Sequence, residues 1–168
     1  MKEVSKSRSI IIGSIICCLL IIIDQATKLM AVKFLKDGEP FELIKNVFVL
    51  RYLENNGAAF SLLAGKQIFF LIITIILILV FGFIFVKLPM TDRMKYLRYI
   101  CVFLEAGAIG NLIDRIRLNY VIDFFYIKLI NFPTFNVADI YITVSMFIFI
   151  LLIMFYYKEE EFESFIKG

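Results

Sequence analysis

The sequence predicts an α-helical integral membrane protein of four transmembrane helices, with one or two short β-strands in a long first loop. Three observations carry this. Hydrophobic residues make up 61% of the 168, against roughly 45–50% in soluble domains. Four separate stretches approach the ~20 apolar residues that cross a bilayer, and charged residues collect between them. Such spans consume most of the length, so one membrane-embedded domain, residues 1–168, is expected.

The first span covers residues 9–30, the second 68–86, the third 97–113 and the fourth 137–157, and the second carries no charge. The third is short, and Ala106 and Gly110, four residues apart within it, would let a neighbouring helix approach closely. Basic residues ahead of the apolar run 10–23 resemble a secretory signal peptide. Asp24 and Gln25 follow that run with no A-x-A-like site before them, and bulky Ile16 precedes Cys17 where a lipoprotein cleavage box wants a small residue. The segment is therefore read as a retained helix.

Within the loop 31–67, Gly38 and Pro40 punctuate the start, and β-branched and aromatic residues favour strand over Val47 to Leu53. Asn55, Asn56 and Gly57 then read as a turn, and the apolar run 58–64 as a short piece lying in the membrane interface. Residues 114–136 are expected to form a second outer loop, and 158–168 a solvated cytoplasmic tail.

Lys2, Lys6 and Arg8 precede the first span, and Lys87, Arg93, Lys95 and Arg98 crowd the connection between the second and third and the first residues of the third. Residues 31–67 hold five Lys or Arg spread along a long loop. Cations favour the cytoplasmic side, so both termini are expected in the cytoplasm and the loops 31–67 and 114–136 on the outer face.

The net charge of +3 forms no basic stripe, which argues against nucleic-acid binding. Cys17, Cys18 and Cys101 all fall in apolar segments and behave as small hydrophobes there. The chain has no histidine, which removes the usual zinc ligand, the usual general base and any Ser-His or Cys-His nucleophile pair. Catalysis would fall to carboxylates, which cost roughly 2.5–3.5 kcal/mol each at the centre of a membrane helix and so mark function when they cluster.

Asp24 and Lys28 are spaced i, i+4 at the outer end of the first span, where they can pair on one helix face, either as a structural pin or as part of a site. Asn111, Asp114 and Arg115 share i, i+3 and i, i+4 spacing on the third span and are expected on roughly one side. Asn136 stands as a candidate N-cap of the fourth span with Asp139 in its first turn. By the orientation above, all these ends meet at one membrane face, with Asn55 and Asp123 in loops beside them. Two converging carboxylates can divide acid and base roles, since like charges a few ångströms apart do not both ionise easily. The pair titrates as a unit, and the helix N-terminus favours Asp139 as the ionised partner. Mg²⁺ or Ca²⁺ is a further use of such a cluster, disfavoured by the lack of a calcium-loop spacing and by Arg115 beside Asp114.

Five segments then fall in a familiar order: Asp24-Gln25-Ala26-Thr27-Lys28, Asn55-Asn56-Gly57-Ala58-Ala59-Phe60, Gly110-Asn111-Leu112-Ile113-Asp114-Arg115, Val121-Ile122-Asp123-Phe124, and Phe132-Pro133-Thr134-Phe135-Asn136-Val137-Ala138-Asp139. Together they resemble the lipoprotein signal peptidase, or signal peptidase II, family of bacterial membrane aspartic peptidases. The resemblance implies that Asp123 and Asp139 are the catalytic pair and Asp114 a supporting residue. Asn55, Asn111, Arg115 and Asn136 would surround the active site, with Gly57 in the matching turn and Asp24 and Lys28 stabilising it. The first outer loop would form the family's small extracytoplasmic β-sheet cradle.

The implied reaction removes the signal peptide of a diacylglyceryl-modified prolipoprotein just before the lipidated cysteine, with no metal or organic cofactor. The implied partners are that substrate and membrane lipid. The chain would act as a monomer in the bacterial cytoplasmic membrane, its active site near the outer face. Glu105 departs from the family pattern, standing where a small or apolar residue is expected. A rival reading makes the same charges the ion or proton pathway of a small transporter, although a pathway spreads ionisable groups over several depths and here they gather at one end.

Overall fold

The structure, a computed structural model, describes residues 5–57, 67–158 and 161. The interfacial run expected over 58–64 and most of the tail expected over 158–168 lie outside these residues. In chain order the elements are helix α1 (Lys6–Leu35), strands β1 (Phe41–Ile44) and β2 (Phe48–Asn55), helices α2 (Gln67–Lys87) and α3 (Lys95–Leu118), strand β3 (Val121–Ile127), a single 3-10 turn (Lys128–Ile130) and helix α4 (Val137–Phe155). All four α-helices are long and apolar enough to cross a membrane.

Helix α3 is the centre of the bundle, with α1, α2 and α4 each packed against it. Small residues make this possible, because helices in lipid gain little from hiding apolar surface from one another and associate by close packing instead. A Cβ on Gly107 would lie 2.6 Å from the Ala138 carbonyl oxygen and 2.7 Å from Ile142, so α4 crosses α3 there in direct backbone contact. Around the same helix, Cys17, Phe85, Leu97, Ile100, Cys101, Val102 and Leu104 form one buried core. The outward faces of α1, α2 and α4 carry exposed Ile22, Leu79 and Phe147, the surface a bilayer covers.

The three strands form an antiparallel sheet in the order β1-β2-β3. Asparagines at left-handed backbone positions, Asn46 (φ 60°), Asn119 (φ 64°) and Asn131 (φ 49°), make its corners. Asn is among the few residues that tolerate this conformation. Asn119 ends α3 with its N–H on the Arg115 carbonyl, and β3 begins two residues later. In the β2–β3 ladder Leu50 pairs with Phe125 and Leu53 with Asp123, so Arg51 and Tyr52 bulge opposite Phe124.

Two expectations change. Helix α3 runs to Leu118, so Asp114 and Arg115 are helical and the second loop starts later than residue 114. Asp123 lies in β3 and Asn55 ends β2, so both are held by a sheet ladder and neither lies in a loop. The charged run Asp114-Arg115-Ile116-Arg117 suggests an exposed loop, yet its helix leaves the apolar core only at the last turn.

Candidate active site

At the end of the bundle that carries the sheet, Asp24, Lys28 and Asp114 are 0%, 1% and 2% exposed. Lys28 Nζ lies 3.0 Å from Asp24 Oδ2 and 2.9 Å from Asp114 Oδ2. Burying three charges is costly unless each is paired and hydrogen-bonded, and here each is. Asp24 Oδ1 accepts the Ala138 N–H at 3.0 Å, at the first turn of α4, and Asp114 Oδ2 accepts the Ile122 N–H at 3.2 Å, at the start of β3. Gln25 Nε2 donates to Asp24, to the Gly110 carbonyl and to Asp114 at 3.1, 3.2 and 3.1 Å. Gly110 makes room for this cluster, because a Cβ there would stand 2.5 Å from Asp24 Oδ2. Its part in the small-residue spacing is therefore to admit a carboxylate, and the close helix contact belongs to Gly107. The central cation position of the cluster is filled by Lys28, and among the described residues no group of three acidic or cysteine side chains is placed to hold a metal.

Next to it lies a second carboxylate pair. Asp123 is 1% exposed and accepts Asn55 Nδ2 on Oδ2 and Asn136 Nδ2 on Oδ1, both at 2.7 Å. Asp139 Oδ1 accepts Asn111 Nδ2 at 2.8 Å, and its Oδ2 accepts the Asn136 N–H at 3.1 Å. The Asn136 side-chain oxygen in turn accepts the Asp139 N–H at 3.0 Å, closing a capping box at the start of α4. The cap expected for Asn136 is present, and the same side chain also bridges to Asp123.

Each amide is oriented by a donor on its oxygen. The Gly57 N–H reaches Asn55 Oδ1 at 3.0 Å, and Lys28 Nζ and Asn136 Nδ2 reach Asn111 Oδ1 at 2.9 and 3.1 Å. Asn136 Oδ1 is held by the Asp139 N–H as described. With the oxygens occupied, all three NH₂ groups face carboxylates. Burial, together with the charge of Asp139, pushes the Asp123 carboxyl from its ordinary 3.8 up to about 7, against the hydrogen bonds from Asn55 and Asn136 that pull it down.

Asn55, Gly57, Asn111, Arg115, Asp123 and Asp139 line one cavity of about 420 Å³. Its other wall is largely apolar, with Phe132, Phe135, Ile140 and Val144. Arg115 stands 5.3 Å over the Phe70 ring and makes no side-chain hydrogen bond or ion pair among the described residues. Asp114, one residue earlier on α3, faces away toward Lys28. Adjacent helical residues do not share a face, so the expectation that Asn111, Asp114 and Arg115 share one side is corrected. Asn111 stands between two polar clusters, and its neighbours divide between them.

Sequence reasoning misses three members of this region. Gln25 shares its position with the recognisable Asp24-to-Lys28 segment, and a glutamine at membrane depth is the signal for it. Thr134 lines the cavity and Arg51 binds it, with Nε and Nη2 at 2.9 and 2.6 Å from its hydroxyl. A lone arginine in a strand-like stretch gives no signal of its own. Glu105 lies half-buried on α3 against α2, where a Cβ on Gly82 would stand 2.9 Å from its Oε1, away from both carboxylate clusters.

The fold and site define a membrane protein of four helices that holds two carboxylates on amide donors beside a largely apolar cavity. Residues 16–155 match the family described as Signal peptidase (SPase) II. A lipoprotein signal peptidase of Clostridium tetani (strain Massachusetts / E88) is 42% identical over 154 residues, covering 89% of this chain and 95% of that protein. Another, of Clostridium novyi (strain NT), is 41% identical over 142 residues, covering 83% and 93%. Two solved bacterial membrane enzymes, determined by the in meso method at 2.3 and 1.9 Å resolution, share the fold with TM-scores of 0.78 and 0.75. They are 33% and 32% identical, covering 91% and 93% of this chain and 91% and 98% of theirs. The chain belongs to the signal peptidase II family. It is a bacterial membrane protein and a peptidase, and the transporter alternative is not favoured.

Proposed function

We propose that this protein is an aspartic endopeptidase that cleaves diacylglyceryl-modified prolipoproteins just before the lipidated cysteine, with Asp123 and Asp139 as its acid–base pair. The observation that carries this reading is the shared cavity, in which both carboxyls hang on amide hydrogens and neither forms an ion pair among the described residues. Asp123, pushed up to about 7, keeps the proton the pair shares, and Asp139 at the α4 N-terminus is the ionised partner. A water between them gives its proton to Asp139 as its oxygen bonds to the scissile carbonyl carbon, while Asp123 gives its proton to the carbonyl oxygen. In the second step the C–N bond breaks, the departing nitrogen takes the proton from Asp139, and Asp123 recovers its own from the collapsing hydroxyl.

The apolar cavity wall suits a lipidated substrate, since each buried CH₂ contributes about 0.8 kcal/mol. Arg115, with donors to spare, and Asn55, Gly57, Asn111, Asn136 and Asp114 support the site. Asp24 and Lys28 tie α1 to it. The protein is read as a monomer. The cation distribution favours cytoplasmic termini and an active site near the outer face of the cytoplasmic membrane, where an inserted signal peptide delivers its cleavage point.

Incubating the purified protein in detergent with a diacylglyceryl-modified prolipoprotein tests the reading, with a shortened product as the expected result. No cleavage by a folded preparation would overturn the activity, and cleavage that survives both Asp123→Asn and Asp139→Asn would overturn the dyad.

A further inference from the structure

Arg51 stands outside the carboxylate clusters, yet it is tied to them through one loop. It occupies the bulge of β2, and its guanidinium lies 3.5 Å over the Tyr126 ring. Both Nε and Nη2 then close on the single hydroxyl oxygen of Thr134, which is 6% exposed. Thr134 lies beyond β3. Phe135 pairs with Phe125 through reciprocal backbone bonds of 2.8 and 2.9 Å, on the edge of β3 opposite the one that pairs with β2. Arg51 therefore reaches from one neighbour of β3 to the other. Two residues after Thr134 comes Asn136, whose amide bridges Asp123 and caps Asp139.

The backbone bonds of Phe135 fix the height of this segment on β3. A pairing at a single residue restrains rotation of the segment about its own axis less than a longer ladder would, and that rotation contributes to where the Asn136 amide points. A planar guanidinium with two N–H groups on one oxygen, pressed against an aromatic face, removes this freedom. A lysine, with one mobile ammonium, cannot do so. We propose that Arg51 is a positioning residue for peptide cleavage, clamping Thr134 so that the Asn136 amide is held against both aspartates. The proposal rests on the reading that Asp123 and Asp139 carry the cleavage.

The clamp is tested with Arg51→Met, Thr134→Val, the double variant and Thr134→Ser, each followed by kcat, KM and the pH profile of kcat on a diacylglyceryl-modified prolipoprotein. Arg51→Met and Thr134→Val are each expected to lower kcat about ten- to hundredfold, the scale of a misplaced reacting group, with KM within about twofold. Losing the Asn136 donor favours the protonated carboxyl, so both limbs of the profile are expected at higher pH than in the wild type. The double variant is expected to be no slower than the slower single one. Thr134→Ser keeps the hydroxyl and is expected to keep the wild-type profile.

Limbs that stay in place, or losses that multiply in the double variant, would overturn the clamp. So would unfolding of both single variants, which would make Arg51 a scaffold residue. Asp123→Asn and Asp139→Asn run alongside separate the two readings. If those variants still cleave, the dyad falls. If they are inactive while Arg51→Met and Thr134→Val keep the wild-type profile, only the clamp falls.

Discussion

Asp24 and Asp114 face each other across Lys28, whereas Asp123 and Asp139 face each other across Asn136. The residue type and the end of the bundle are the same, and the difference lies in what stands between. A lysine 3.0 and 2.9 Å from two carboxylates supplies a counter-charge and locks α1 to α3. Amide donors supply hydrogen bonds without a charge, so burial and the charge of Asp139 push the Asp123 carboxyl up to about 7. Within one small region, the first pair is ion-paired with a lysine and the second is held by amides alone, and on the proposed reading only the second exchanges protons. Lys28 joins the two, because its bond to Asn111 Oδ1 turns that amide toward Asp139.

The contrast is sharpest in substitutions that exchange carboxylate for amide. Asp123→Asn and Asp139→Asn are each expected to lower kcat about 10³-fold or more, at the scale of lost general acid–base catalysis, without a matching loss of thermal stability. A carboxyl raised on folding contributes stability at low pH that is lost as pH rises through about 7. The wild type should therefore lose melting temperature between about pH 4 and 7 more steeply than Asp123→Asn does, which thermal unfolding in detergent checks.

Lys28→Met attacks the other pair. It leaves two buried carboxylates without a counter-charge and is expected to cost about 3–5 kcal/mol of stability, read as a lower denaturation midpoint. Adding Asp24→Asn and Asp114→Asn to it should recover part of that loss, and no recovery would mean that Lys28 acts through something other than charge. Asn136→Ala touches the second pair alone. Losing the cap is expected to cost about 1 kcal/mol, and losing the bridge between the aspartates should reduce kcat more than stability. Smallest of all, Lys36→Ala removes an exposed pair with Glu54 on the sheet, and neither melting temperature nor activity should change measurably.

Much of this architecture is legible in the sequence, because lipid imposes long apolar runs and makes each buried charge conspicuous. Asp24 and Lys28 are readable as a pair from helical spacing, and Asn136 with Asp139 as a cap, since both depend on neighbours in the chain. Strand β3 is not. Val121, Ile122, Asp123 and Phe124 are all buried, so the alternation that marks a half-exposed strand is missing. The different directions of Asp114 and Arg115 are equally hidden, because helix phase matters only once the partners are known. The clamp of Arg51 on Thr134 spans 83 residues of sequence and depends on the bulge, which no local pattern announces.

The pH dependence of kcat on a diacylglyceryl-modified prolipoprotein tests the division between the two pairs most directly. Asp123 must hold its proton to act as the acid, and its carboxyl is pushed up to about 7. An alkaline limb near that pH is expected in the wild type, and Asp114→Asn should retain it. A profile that stays flat from pH 6 to 9, or a limb that disappears in Asp114→Asn, would contradict the assignment of the proton to Asp123.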